Sequence, residues 1–314
     1  MTKNTPIPHD KFFKKMMSNR QFALDFCKDL LPKKILRHIR LESLSYINES
    51  HITPDLKGHL ADVILRFKRT DGKQGHYYIS LIIEHKSHPD NKVAGQLLVY
   101  LSNGYGKQLK HQPQAELIIP VVYYHGTQKW EIRPFKDLIR DLPQELECYV
   151  PSFDIFMIDV HQMKEEDILG LTNMFVSSAL LLQKYILDAE ALTLVLDNIF
   201  GGINPDDDGN LFEAIIVYFM HQLPKHKIKI TEIMETLQTT SAKREFISMY
   251  EDLIQQGVEQ GMEKGMEKGM EKGMEQAINR SVKKGYEMGL SVQQLSMLND
   301  ISIDKVKEIL NLRG

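Results

Sequence analysis

Cysteine and tryptophan are scarce: the 314-residue chain has two Cys and one Trp. Cys27 and Cys148 lie far apart and form neither a disulfide framework nor a metal-type pair, which points to a reducing compartment. No apolar run approaches the roughly 20 residues needed to cross a bilayer, so no membrane partner is expected. The first residues, MTKNTPIPHDKFFKKMM, lack the apolar stretch of a secretory signal, so a cytoplasmic location is expected. An excess of charge of one sign is missing too: the net charge is −3. That balance hides an uneven distribution. Residues 1–40 hold ten Lys or Arg against three Asp, a charge of +7, which leaves about −10 on the rest. A basic arm on an acidic body suits contact with phosphates and suits a solvated helix face equally well.

What is present describes a globular chain. Hydrophobic residues make up 42% and charged residues 26%, enough apolar surface for one large domain or two moderate ones. HDKFFKKMMSNRQFALDFCKDLLP reads as one or two amphipathic helices, with Phe13, Met16, Met17, Phe22, Phe26 and Leu30 at helical spacings and Pro32 as the stop. Three strand-like runs follow, RLESLSYI, HLADVILRFKR and HYYISLIIEHK. Then come a helical stripe through Val93, Leu97, Tyr100 and Leu101, and a further strand, AELIIPVVYYHG. The order helix, three strands, helix, strand predicts an α/β sandwich over residues 1–160, closed by YVPSFDIFMIDV.

Residues 161–250 change to helical patterns, as in LGLTNMFVSSALLLQKYIL and LFEAIIVYFMHQL. Between them NPDDDGN invites a calcium-loop reading, but with Gly209 at the sixth loop position Ile215 falls where a bidentate Glu is required. This is an acidic turn. Residues 251–284 contain the tandem repeat GVEQGMEKGMEKGMEKGMEQ. Four residues overshoot one helical turn by about 40°, so the Gly and Met stripes wind slowly around a helix. Each Gly weakens that helix by roughly 1 kcal/mol relative to Ala. The segment is therefore either a helix that docks against a partner or a charged linker. The docking reading predicts a homo-oligomer through residues 250–314. Such a repeat also implies a twelve-nucleotide unit in the gene, whose slippage would change the helix by about 6 Å per unit and keep the frame. Residues 285–314 read as a small two-helix tail with a turn near Asn299–Ser302.

The chemistry concentrates in LIIEHKSHPD, a buried strand that turns charged without a turn signal. Glu84 and Lys86 share one strand face and His85 takes the other. Upstream, Thr70 to Gly75 are turn residues, which makes residues 59–86 a hairpin. A turn centred near residues 72 to 73 sets Asp62 opposite Glu84 or one place from it. Two carboxylates that close repel unless a cation or a proton intervenes. A divalent ion between Asp62 and Glu84 satisfies both, and Mg²⁺ favours one or two carboxylates with retained waters. The backbone carbonyl of His85 is a candidate third ligand. Lys86 is placed to help deprotonate a water or to stabilise charge on a phosphate.

This arrangement resembles the PD-(D/E)XK nuclease superfamily, with Ala61 in place of the motif's proline; Pro54-Asp55 spells the letters but sits in a polar loop. More narrowly, PHDKFFK, ADVILRF, IIEHKSHPD followed by QLLVY, and IIPVVYYHG are similar to the Rpn family of recombination-promoting nucleases, also labelled transposase-like. The repeat and the GLSVQQL tail are similar too, so the resemblance covers nearly the whole chain. It implies a restriction-endonuclease-like core followed by an all-helical C-terminal region. It implies a metal-dependent DNA endonuclease of the bacterial cytoplasm, using Mg²⁺ (or Mn²⁺ or Ca²⁺) and linked to recombination or mobile elements. Carried over by motif, Asp62 and Glu84 become metal ligands, Lys86 the catalytic lysine, and Gln96 on the next helix a further site residue. The family also implies an internally started C-terminal short product as a partner.

Several residues keep two readings. Asp10 is a helix N-cap or, with His9, lines the site. Lys11, Lys14 and Lys15 contact DNA phosphates or face water. His125 and Gly126 serve close packing at the end of a strand or touch DNA. Ser87 and His88 form no nucleophile–base–acid set. The competing reading of the whole chain is a non-catalytic DNA-binding or assembly factor on a relic nuclease fold, its tail a helix-turn-helix. Residues 285–314 carry four acids against three Lys or Arg, which is poor for neutralising phosphates. A ribonuclease would share the same metal site.

Overall fold

The structure is a computed structural model that describes residues 8–47, 61–73, 76–84, 89–222, 230–237 and 239–312. It is a mixed α/β chain. Helices α1 (Pro8–Ser18), α2 (Arg20–Leu30) and the short α3 (Lys33–Leu36) precede strands β1 (Ile39–Tyr46), β2 (Ala61–Arg69) and β3 (His76–Glu84). Helix α4 (Val93–His111) crosses to β4 (Ile118–Tyr124), and β5 (Phe156–Asp159) completes a five-stranded sheet in the order β1-β2-β3-β4-β5. The first three strands are antiparallel neighbours; β3, β4 and β5 run parallel.

The basic N-terminal segment folds as two helices because Asn19 interrupts it. Its side chain accepts from the Phe22 amide at 3.0 Å and caps α2, while its own side-chain nitrogen donates to Asp208 at 2.6 Å. The helices bury Phe13, Met16, Met17, Phe22 and Phe26 against one face of the sheet, where Phe13 meets Tyr123 of β4 at 4.6 Å between ring centroids. Each such side chain stabilises the fold by about 1.5–3 kcal/mol. Tyr46 extends this contact by donating to the Met17 carbonyl at 2.8 Å. The other sheet face is covered by α4, whose Val93 and Leu97 pack on Val122 and Tyr124 of β4 and on Trp130. Tyr100 and Leu101 pack on Ile64 of β2 and Ile118 of β4. Period-2 alternation in the strands therefore feeds two different helical layers.

The helices that follow are α5 (Glu165–Leu169), α6 (Met174–Tyr185), α7 (Ala189–Leu194), α8 (Leu196–Phe200), α9 (Pro205–Gln222) and α10 (Ile230–Thr236). The acidic segment expected as a turn is the start of α9. Helical geometry breaks only at Asp208 (φ −159°, ψ 96°), whose side chain accepts from the Leu211 amide at 3.0 Å and restarts the helix. Asp208 is thus a cap. Its other partner is Asn19, so one carboxylate links two helix starts.

Helix α11 (Thr240–Glu287) runs through the entire Gly/Met repeat, followed by α12 (Val292–Asn299) and α13 (Ile303–Ile309). Compact units divide after Ile247, inside α11. In the second unit Val282, Leu295 and Val306 form a small core, with Ile278, Leu290, Ile301 and Ile309 around it. Ser291 and Gln294 make a capping box at α12, and Ser302 caps α13. Along the repeat, Met262, Met266, Met270 and Met274 are 66–75% exposed, and a Cβ added at Gly261, Gly265, Gly269 or Gly273 would meet nothing within 4 Å. Replacing those four glycines by Ala should therefore stabilise the helix by up to roughly 1 kcal/mol per site, read as a higher melting temperature in circular dichroism melts of the full chain. A lower melting temperature would show that the glycines serve a contact which Ala blocks. Among the described residues no helix is long and apolar enough to cross a membrane.

Candidate active site

The β2–β3 register leaves Asp62 two places from Glu84, where the sequence expectation is directly opposite or one place away. Asp62 pairs with Ile82, and Ala61 with Ile83. The turn's centre falls on Gly72, at the near end of the expected 72 to 73; Gly72 adopts φ +73°, a left-handed conformation that favours glycine. Because Asp62 pairs with Ile82, two places from Glu84, the two positions share a face. Asp62 and Glu84 occupy diagonal positions on one face of the ladder, a relation that separates such positions by about 7–8 Å. Their side chains, together with residues 85–88 (His85, Lys86, Ser87 and His88), lie outside the described residues, as does Pro54-Asp55.

The surroundings of these positions are well defined. Glu84 pairs with Tyr124, and Tyr124 with Asp159, so one row crosses the carboxyl ends of β3, β4 and β5. Tyr124 stacks edge-on against Trp130 at 5.0 Å and donates to the Gln128 carbonyl at 2.8 Å. Its ring lies where a Cβ on Gly126 would go. Gly126 is therefore required by close approach, and Gly126→Ala should destabilise the fold by about 1–3 kcal/mol, read as a lower denaturation midpoint. An unchanged midpoint would mean that the loop yields instead. Asp159 accepts from the Gln162 amide at 3.2 Å, and half-burial raises its carboxyl above the ordinary range. It caps the turn after β5.

Gln96 sits in the first turn of α4, between Val93 and Leu97, which pack on Tyr124. Its side-chain nitrogen donates to Asp90 at 3.1 Å. The second Asp90 oxygen accepts from the Lys92 amide at 2.9 Å, and its carbonyl accepts from the Val93 amide at 3.2 Å. Asp90 thus organises the entry into α4, a role the sequence signals only weakly, through an Asp three residues before a helical apolar position.

On the opposite sheet face, His9 of α1 and His125, just past β4, are both buried, with ring centroids 5.0 Å apart. His9 Nδ1 shares a hydrogen bond of 2.5 Å with the Tyr218 hydroxyl of α9. Burial, with His9 beside it, pushes His125 down to about 3. Burial also keeps the Tyr218 and Tyr123 hydroxyls protonated, and Tyr123 donates to Gln183 of α6. Packing is thus the part of the two-way reading of His125 that the geometry displays. Nothing in the spacing of residues 9, 125 and 218 announces their meeting. Asp10 lies inside α1, which begins at Pro8, so the N-cap expectation is corrected; its side chain is outside the described residues. Lys11 and Lys15 are exposed and Lys14 is half-buried. Among the described residues no group of three or more His, Cys, Asp and Glu converges as a metal site.

Comparison with known proteins adds a family. Residues 7–209 match the family described as "Putative transposase, YhgA-like". The chain is 23% identical over 263 residues to the recombination-promoting nuclease RpnD of Escherichia coli O157:H7, covering 76% of this chain and 97% of that one. It is 24% identical over 280 residues to the recombination-promoting nuclease RpnA of Escherichia coli K12, covering 82% and 92%. A third relative, 31% identical over 96 residues and covering 31% of this chain and 90% of its own, is named "Putative inactive recombination-promoting nuclease-like protein YjiP", also from Escherichia coli K12. No solved structure matches. With about two thirds of its length matched by one family model, and that stretch containing the sheet and α4, the chain belongs to the YhgA-like transposase family.

Proposed function

We propose that this chain is a metal-dependent DNA endonuclease of the PD-(D/E)XK type, acting in recombination or on mobile elements in the bacterial cytoplasm. The observation that carries the reading is the diagonal register of Asp62 and Glu84 on one sheet face, at the carboxyl end of β3 and beside the start of α4. Two hard carboxylate donors at that spacing fit a shared divalent cation, Mg²⁺ first and Mn²⁺ or Ca²⁺ as substitutes. The His85 carbonyl is the proposed third ligand. When bound, such an ion lowers the pKa of a coordinated water and stabilises charge on a phosphate. Asp62 and Glu84 hold and orient; Lys86 withdraws a proton from the attacking water or supports negative charge on the phosphate; Gln96 orients a polar partner from α4. The helix–three strands–helix–strand order and relatives named as nucleases support the reading; the relative named inactive is the reason that turnover must be measured.

The test is supercoiled plasmid incubated with the full chain in Mg²⁺ and, separately, with chelator. Nicked and linear products confined to the metal arm support the proposal; none in either arm defeats it and favours the non-catalytic assembly factor. Plasmid and structured RNA in the same buffers decide between DNA and RNA. Substrate binding is assigned to the basic first segment, with Lys11, Lys14 and Lys15 on α1 neutralising phosphates. Replacing all three by Gln should flatten the salt dependence of duplex binding by up to about three in slope, at about 0.9 per phosphate contact. An unchanged slope would remove α1 from the interface.

The exposed Met262, Met266, Met270 and Met274 support self-association through residues 250–314, because residues 261–272 carry three Glu and three Lys and can face a second copy without net repulsion. Equal monomeric mass for residues 1–240 and the full chain in light scattering would refute it.

A further inference from the structure

We propose that Asp90 is a positioning residue for this nuclease site, fixing the Gln96 amide with its nitrogen turned inward so that its oxygen is the acceptor offered to the attacking water. The inference rests on the proposed function above and goes beyond it by assigning a polarity to Gln96. Its basis is chemical. A carboxylate only accepts hydrogen bonds, so the Gln96 atom 3.1 Å from Asp90 must be the NH₂ group. The other Asp90 oxygen is held by the Lys92 amide at 2.9 Å, and the Asp90 carbonyl by the Val93 amide at 3.2 Å, so the carboxylate cannot rotate without losing a bond. Gln96 is anchored in turn, since its own backbone amide donates to the Lys92 carbonyl at 3.1 Å. The contact is part-buried, where a charge-assisted bond keeps its strength. The carboxylate–amide pair therefore does for Gln96 what an outer partner does for a metal-ligating histidine: it selects one orientation of a group that is otherwise two-faced.

The polarity matters for the reaction. An acceptor oxygen at the first turn of α4 takes a hydrogen bond from a water and aims the water's lone pair; a donor nitrogen there would bind a phosphate oxygen instead. Asp90→Asn separates these cases with almost no change of shape. The substituted amide has one acceptor oxygen, and the Lys92 amide requires it. Its NH₂ group then faces Gln96, which must turn over to present its oxygen inward and its nitrogen outward. A second change restores the original polarity. When Asp90→Asn is combined with Gln96→Glu, one oxygen of the introduced carboxylate accepts from the introduced amide. The other faces outward as an acceptor, and the pair's net charge is unchanged.

The experiment measures plasmid nicking (kcat and KM), duplex binding in chelator by fluorescence anisotropy, and thermal melting for the wild type, Asp90→Asn and the double variant. The expected result is a kcat about 10–100-fold lower in Asp90→Asn. KM, anisotropy and melting temperature should stay close to wild type, and the double variant should recover most of the lost kcat. A purely structural role for Asp90 would show as a lower melting temperature without rescue by the second change, and would overturn the proposal. So would wild-type kcat in Asp90→Asn, or loss of duplex binding in place of kcat; either leaves the nuclease reading standing. A wild-type chain that does not nick DNA removes the nuclease reading and this inference with it.

Discussion

Alanine at Asp62 or at Glu84 is expected to lower metal-dependent DNA cleavage by at least about a hundredfold, the scale of losing one preorganised group that stabilises transition-state charge. Lys86→Ala should fall in the same range through loss of the proton acceptor or phosphate partner. The two carboxylate variants should melt no lower than wild type in the absence of metal. Their positions lie diagonally on one face, so each removal relieves repulsion between like charges. In Mg²⁺ the order should reverse, because ligand binding stabilises only the chain that keeps both carboxylates. Cleavage kinetics paired with melts in chelator and in Mg²⁺ check both halves. Wild-type nicking by Glu84→Ala removes the assignment. A variant that melts far below wild type in chelator shows that the side chain supports the fold, against the repulsion argument.

The second large effect is acid lability centred on His125. Burial holds its imidazole at about 3, against about 6.5 in an unfolded chain. Between those values the unfolded chain binds a proton that the folded chain refuses, so stability is complete above about 6.5 and is lost as pH falls toward 3. The steepest loss is about 1.4 kcal/mol per pH unit. Of the rings beside it, His9 adds to the effect of burial and Tyr123 stays protonated. His125→Gln should melt lower than wild type at pH 7.5, through lost packing, yet lose less between pH 6.5 and 4.5. Thermal melts at stepped pH give the comparison. Parallel curves for the two proteins would place the acid sensitivity elsewhere.

Much of the architecture is legible in the sequence because it rests on periodicity. Alternation in ADVILRF and the nearly continuous β-branched and aromatic run of HYYISLIIE mark strands, and the helical stripe through Val93, Leu97, Tyr100 and Leu101 marks the crossover that covers them. The face shared by Asp62 and Glu84 is only half legible, since a directly opposed register keeps it and a slip of one residue turns it over. Register is legible only to within a residue or two, because half a residue in the turn's centre moves the pairing by one, and a centre on Gly72 leaves Asp62 two places from Glu84. The start of α9 is hidden because acidic residues favour turns and helix starts alike; only the cap from Asp208 to Leu211 distinguishes them. The contact of His9 with Tyr218 spans 209 residues and leaves no local trace. Asp90 stands in plain view within SHPD, but its bond to Gln96 depends on the turn through Asn91 and Lys92 into α4.

Family membership and chemistry also separate here. The YhgA-like family is shown by a match over residues 7–209, yet the chain is similar both to relatives named as nucleases and to one named inactive. Fold and family do not distinguish a working site from a relic; the ligands must be tested themselves.

That test is a calorimetric titration of Mn²⁺ into metal-free full-length chain, with Asp62→Asn and Glu84→Gln beside the wild type. The expected result is one tight site in the wild type that weakens severely in both variants, because carboxylates from two different strands share one ion. Undiminished affinity and stoichiometry in either variant would contradict the account.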